Sequence, residues 1–191
     1  MQAVNKEYHH TASAIKQEEE LIKRAQKNPR EFSVLYDKYY VQIFRYVIKR
    51  IGNEHDAADL TSQVFVKALQ NIKKYKFKGV PFTAWLHRVA SNELNLAFRA
   101  KKYDRNVEVK TEELNDIVEE CETQPSEERA QLLVEALRQL SRDELELLEM
   151  RYFEKRPFKE VCQILDITES NAKVKMHRVI KKLKGIMLDE G

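Results

Sequence analysis

An all-α fold, two small helical domains joined by an acidic linker, is predicted by three features of the 191-residue sequence. Apolar residues recur at steps of three and four along most of the chain, the spacing of amphipathic helices. Glycine and proline number only four each, too few for a turn-rich β architecture. No stretch of any length alternates apolar and polar residues as a half-buried strand does. The length suits one or two small domains, each near the lower limit for burying a useful core.

The elements follow in order. Residues 1–16 read as a flexible polar tail. A first domain is expected over 17–103. It opens with a short helix near Glu18–Gln26 that stops at Asn28-Pro29. Phe32, Leu35, Tyr36, Tyr39, Ile43, Tyr46, Val47 and Ile51 predict a long second helix, which Gly52-Asn53 terminates. The third runs from Glu54 to about Tyr75, with Glu54, Asp56 and Asp59 favourable at its positive end and Leu60, Val64, Ala68 and Ile72 along one face. After the loop KYKFKGVPFT, a fourth helix is predicted from Phe82 to Lys101 or beyond.

The acidic linker, 104–125, lacks strong apolar periodicity and ends at Pro125. A second domain is expected over 126–191. Leu132, Leu133, Ala136, Leu137 and Leu140 predict its first helix. Ser141 and Glu144 have the spacing of a capping box for the next, which Arg156-Pro157 closes. FKEVCQIL, the turn DIT and ESNAKVKMHRVIKKLK then spell helix, turn, helix.

Charge is distributed in blocks. Lys67 to Lys102 holds nine Lys and Arg against the single acid Glu93, and Asp104 to Glu128 holds ten acids against Arg105 and Lys110. The balance turns basic again from Lys155 to Lys184. Two basic modules around an acidic segment point to nucleic acid as the partner of both.

Other classes are a poor fit. No Gly-rich phosphate loop, paired carboxylate site or activated nucleophile is present, so neither an enzyme nor a small-molecule substrate is expected. Cys121 and Cys162 stand apart, with no CxxC and no His at ligand spacing, so no metal, no cofactor and no disulfide is expected. No apolar run reaches the length of a membrane span or of a signal-peptide core, and a soluble, cytoplasmic chain is expected.

On the last helix, Ala172, Met176, Val179, Ile180, Leu183 and Met187 share one apolar arc. Asn171, Lys175, Arg178 and Lys182 share another, with Val174 beside them. The helix carries no acid between Glu169 and Asp189, so phosphate is the natural counter-charge. Ser170, Asn171, Lys173, Val174, Lys175, Arg178 and Lys182 are the candidate duplex-reading residues.

On the fourth helix, Trp85, Val89 and Leu96 are expected to face the core. Arg88, Ser91, Asn92, Asn95, Arg99 and Lys102 gather on another side, where amides, hydroxyl and cations suit nucleic acid. Tyr75, Phe77 and Phe82 stand among Lys73, Lys74, Lys76 and Lys78, a mixture suited to stacking on unpaired bases. Taken singly, Tyr75, Phe77 and Phe82 each read more readily as core, Phe82 above all, and so does Trp85. Besides a machine that opens duplex, the residues leave open a stand-alone helix–turn–helix regulator and a helical RNA-binding adaptor.

Three segments, FSVLYDKYY, HDAADLTSQVFVKAL and FTAWLHRVASNELNLAFRAKK, resemble in order and spacing region 2 of the extracytoplasmic-function (ECF) sigma factors, the minimal branch of the sigma-70 family. The segment ALRQLSRDELELLEMRYFEKRPFKEVCQILDITESNAKVKMHRVIKKLK is similar to region 4. The resemblance implies a protein that directs core RNA polymerase to promoters. Asp56, Asp59, Leu60, Gln63, Val64 and Phe65 would dock on core polymerase. Tyr75, Phe77, Arg88, Ser91, Asn92, Asn95, Arg99 and Lys102 would melt and hold the minus-10 element. The last helix would read the minus-35 duplex, and the acidic linker would run through the RNA exit path. An anti-sigma factor is implied as a further partner.

Overall fold

The computed structural model describes residues 12–100, 117 and 127–189, which form helices and turns and include no strand. The polar tail up to residue 11, Lys102, Cys121 and nearly all of the acidic linker lie outside them. The chain divides into two units, 10–108 and 109–191 with 1–9, and each is treated by itself.

In the first unit, α1 (Ala12–Lys27), α2 (Phe32–Ile51), α3 (Glu54–Asn71) and α4 (Phe82–Arg99) pack together. The first helix is longer than its apolar residues indicated, and α3 ends in a tight turn at Ile72–Lys74. Local chemistry places the joints. Asn28 accepts a hydrogen bond from the Arg30 N–H at 3.1 Å, just ahead of Pro29. Gly52 has φ 77°, a left-handed conformation that costs glycine little, and donates to the Ile48 carbonyl at 2.8 Å. Asn53 then caps α3 by accepting from the Asp56 N–H at 3.0 Å.

Both α2 and α4 pack on α3, and α2 and α4 also meet each other. Leu35, Ile43, Val47, Ala57, Val64, Ala68, Leu86 and Ala90 are fully shielded between them. The helix α1 lies on α2 and on the turn that ends α3, burying Ile22 and Ala25.

In the second unit, α5 (Glu127–Arg138), α6 (Arg142–Leu148), α7 (Phe158–Leu165) and α8 (Glu169–Asp189) surround Leu133, Leu137, Leu148, Val161, Ala172 and Leu183. The capping box of α6 is reciprocal. Glu144 accepts from the Ser141 N–H at 2.8 Å, and Ser141 accepts from the Glu144 N–H at 3.3 Å.

Two features have no signal in the periodicity. After Leu148 the helix widens into a π turn, Glu149–Phe153. Arg156 is then completely buried, donating to Glu154 and, at 3.4 Å, to Glu160. Arg151 donates to the Arg156 carbonyl at 3.1 Å and lies 5.0 Å over the Phe158 ring. Asp166, with φ 56°, turns the chain from α7 into α8.

Candidate nucleic-acid interface

The loop between α3 and α4 is held by an aromatic cluster. Tyr75 lies 4.8 Å from Trp85 and 5.3 Å from Phe82, ring centre to ring centre, and Phe82 lies 5.2 Å from Trp85. Such pairs contribute about 0.5–1.5 kcal/mol each beyond area burial. Phe82 and Tyr75 are buried, Phe77 and Trp85 half-buried. Burial raises the Tyr75 hydroxyl well above its usual range, and the nearby Glu18 carboxylate adds to the effect. Tyr75 is therefore a wall of this cluster and not the exposed stacking surface expected of it. Trp85, expected in the core, keeps part of its ring at the surface.

The outer face of α4 is wider and more mixed than its polar stripe alone. Asn92 and Arg99 are exposed, Arg88 and Asn95 half-buried. Bordering them are Trp85 and Val89, both half-buried, and Leu96, 53% exposed. The core side belongs instead to Leu86, Ala90, Leu94, Ala97 and Phe98. The physical reason is the side from which α2 and α3 approach: they cover the arc of Leu86, Ala90, Leu94, Ala97 and Phe98, and Trp85, Val89 and Leu96 lie outside it. Ser91 is a correction too, because at 6% exposure it is turned inward and presents nothing to a ligand.

The proposed docking residues on α3 also divide. Leu60, Val64 and Phe65 are 5%, 0% and 3% exposed. As α3 has neighbours on two sides, these side chains hold the bundle and do not face outward. Phe65 packs on Tyr36 and Tyr40, with ring centres at 4.9 and 6.0 Å. Asp56 is half-buried, while Asp59 and Gln63 are exposed. The exposed arc continues through Ser62, Val66 and Leu69. Those three stand at steps of three and four from Asp59, on the same side of the helix.

On α8, Ser170, Asn171, Lys173, Val174, Lys175, Arg178 and Lys182 are all exposed. The cap is Thr168, whose hydroxyl accepts from the Asn171 N–H at 3.2 Å, leaving the side chains of Ser170 and Asn171 on the surface. Ala172, Met176, Val179, Leu183 and Met187 are buried, and Ile180 is half-buried at the edge. Two cations expected to lack partners have them. Lys173 pairs with Glu169 at 2.9 Å. Lys182 reaches Glu144 at 2.9 Å and so ties α8 to the capping box of α6. Partial burial acts to raise the Glu144 carboxyl, but the hydrogen bonds from Lys182 and Ser141 outweigh it and hold the group below its ordinary value. Lys175 and Arg178 have no acidic partner among the described residues and remain as the open cations of this face.

No helix among the described residues is long and apolar enough to cross a membrane. Sigma-70 region 2 is matched by residues 35–103, and Sigma-70 region 4 by residues 130–183. The chain is 29% identical over 177 residues to the ECF RNA polymerase sigma factor BldN of Streptomyces coelicolor, covering 90% of this chain and 66% of that one. It is 24% identical over 156 residues to the ECF RNA polymerase sigma factor SigM of Bacillus subtilis, covering 80% of this chain and 92% of that one. Its fold is similar to that of CnrH, solved in complex with the cytosolic domain of CnrY, with a TM-score of 0.57 and 18% identity over 91% of this chain and 99% of that one. With both regions present and in order, the chain belongs to the sigma-70 family of RNA polymerase sigma factors, in its extracytoplasmic-function group.

Proposed function

We propose that this sigma factor brings core RNA polymerase to its promoters through three surfaces. Asp59, Gln63, Ser62, Val66 and Leu69 on α3 dock on core enzyme. Asn171, Val174, Lys175 and Arg178 on α8 read the minus-35 duplex from the major groove. The outer face of α4 and the Trp85 edge of the aromatic cluster hold the opened minus-10 strand. The opening step gains its energy from capture, since an unstacked base is stabilised by an aromatic face and amide hydrogen bonds. Chemistry on nucleotides belongs to the polymerase, and the sigma factor contributes binding and strand separation.

The observation that carries this reading is the face of α4, where Trp85, Asn92 and Arg88 lie together beside an aromatic-walled loop. A duplex-only regulator has no use for it. The two units supply separate contacts, with 17–103 and 126–191 as the working domains and 104–125 connecting them. A cytoplasmic location and an anti-sigma partner follow from the same reading. Such a partner would cover the α3 arc or the α8 face and so block polymerase or DNA.

The test is reconstitution with core polymerase on a promoter selected from a random duplex library. Initiation by the wild-type protein is expected. Asn92→Ala is expected to keep core binding and lose strand opening, and Lys175→Ala with Arg178→Ala to weaken promoter binding. Occupation of a duplex operator without polymerase, with no association with core, would overturn the reading.

A further inference from the structure

We propose that α1 is a ruler that sets the shape of the loop between α3 and α4, with Glu18 and Gln26 as its positioning residues. The proposal rests on the reading of that loop and α4 as the minus-10 strand site. The helix α1 precedes the residues matched to region 2, which begin at 35.

Both ends of the loop are fixed by this one helix. At the α3 end, the Gln26 amide donates to the carbonyls of Ile72, at 3.0 Å, and Tyr75, at 2.8 Å. The Ile72 carbonyl also accepts from the Tyr75 N–H at 3.1 Å, so Gln26 takes its second lone pair, and a primary amide has the two N–H donors needed to bind both carbonyls. At the α4 end, the Glu18 carboxylate accepts from the backbone N–H of Phe82 at 2.5 Å. Pro81 precedes α4 and contributes no side-chain cap, so Glu18 takes that role from another helix. Glu18 is 3% exposed and has Lys38 at 3.6 Å. Burial raises its carboxyl above the ordinary value, while the Phe82 N–H and Lys38 act in the opposite direction.

Glu18 and Gln26 are separated by roughly 12 Å of helical rise. Ile22 and Ala25, at 2% and 0% exposure, anchor the helix between them. A rigid spacer thus fixes where Tyr75 enters the loop and where Phe82 leaves it. That in turn fixes the Tyr75–Trp85 contact at 4.8 Å, on which the strand-holding edge depends. Gly79, with φ 67°, supplies the bend that lets the chain return over so short a span. A loop tied at both ends needs less ordering by the captured strand.

The experiment uses holoenzyme assembled from full-length sigma and core polymerase on the selected promoter. Opening rates are read by a fluorescent base analogue at minus 10, on duplex and on a template mismatched there. Glu18→Ala and Gln26→Met are expected to slow opening of duplex about five- to tenfold, the scale of one lost buried hydrogen-bond set. Core affinity should stay within about twofold, and the mismatched template should restore the rate, because no base pair must then be broken. Glu18→Gln should retain most of the rate, since its amide oxygen still accepts from the Phe82 N–H. Equal loss on both templates, or core affinity falling in parallel, would mean a general folding role and overturn the proposal. Wild-type rates in Glu18→Ala and Gln26→Met would overturn it as well. Trp85→Ala and Asn92→Ala are run beside them. If those two open duplex normally, the strand-site reading itself fails; if they are slow while the α1 variants are not, only the ruler does.

Discussion

Lys175 and Lys182 look alike in the sequence, yet the structure separates them by one contact, and salt dependence reads the difference. Each phosphate neutralised on duplex DNA contributes about 0.9 to the slope of log affinity against log salt. Losing one contact means that over a fourfold rise in salt the variant loses roughly 3.5-fold less affinity than wild type. Lys175 is exposed with no acidic partner among the described residues, so Lys175→Ala is expected to remove about one such unit. If Lys175 reads a base instead, the cost is about 1–3 kcal/mol with specificity relaxed at that position. Lys182 is held by Glu144 at 2.9 Å, with side-chain exposures of 41% and 31%. A partly exposed pair of this kind contributes about 0.2–1 kcal/mol to stability. Lys182→Ala is therefore expected to lower the melting temperature of the second unit slightly and leave the salt slope nearly unchanged. The assay is fluorescence anisotropy of holoenzyme on labelled promoter between 50 and 200 mM salt, conditions over which roughly this effect is resolved. If Lys182→Ala flattens the slope as much as Lys175→Ala does, the tether does not survive in the complex and the reasoning fails.

Three further expectations can be checked separately. Arg156→Ala leaves the Glu154 and Glu160 carboxylates buried beside a lost cation; a cost of roughly 3–5 kcal/mol is expected in urea unfolding of the second unit. Because the Glu144 carboxyl lies below its ordinary value of 4.5, its stabilising contribution is complete above that pH and is lost as pH falls through the depressed folded value. The stability gap between wild type and Glu144→Ala, measured by thermal melts, should therefore narrow on acidification. Trp85 is the one tryptophan of the chain, so intrinsic fluorescence of the isolated protein should change when minus-10 single strand is added, and Asn92→Ala should shift that titration to higher strand concentration.

Much of the architecture is written locally and is legible without tertiary information. The steps of three and four in α2 and α8, the Gly52-Asn53 joint and the Ser141–Glu144 box depend on a few neighbouring residues, and they appear where the residue chemistry places them. The basic face of α8 is legible for the same reason, because one side of a helix facing solvent leaves a simple two-sided pattern. What only the tertiary structure decided is which face is covered when a helix has several neighbours. Leu60, Val64 and Phe65 are buried because α3 is packed on two sides, and Trp85, Val89 and Leu96 stay at the rim because α2 and α3 cover a different arc of α4. Contacts between distant residues were equally hidden: Lys182 with Glu144, Arg156 with its two carboxylates, and Glu18 and Gln26 with the loop ends. Periodicity records how strongly a face prefers burial, whereas these pairings depend on where a second helix comes to lie, and a short window of sequence carries no record of that distance.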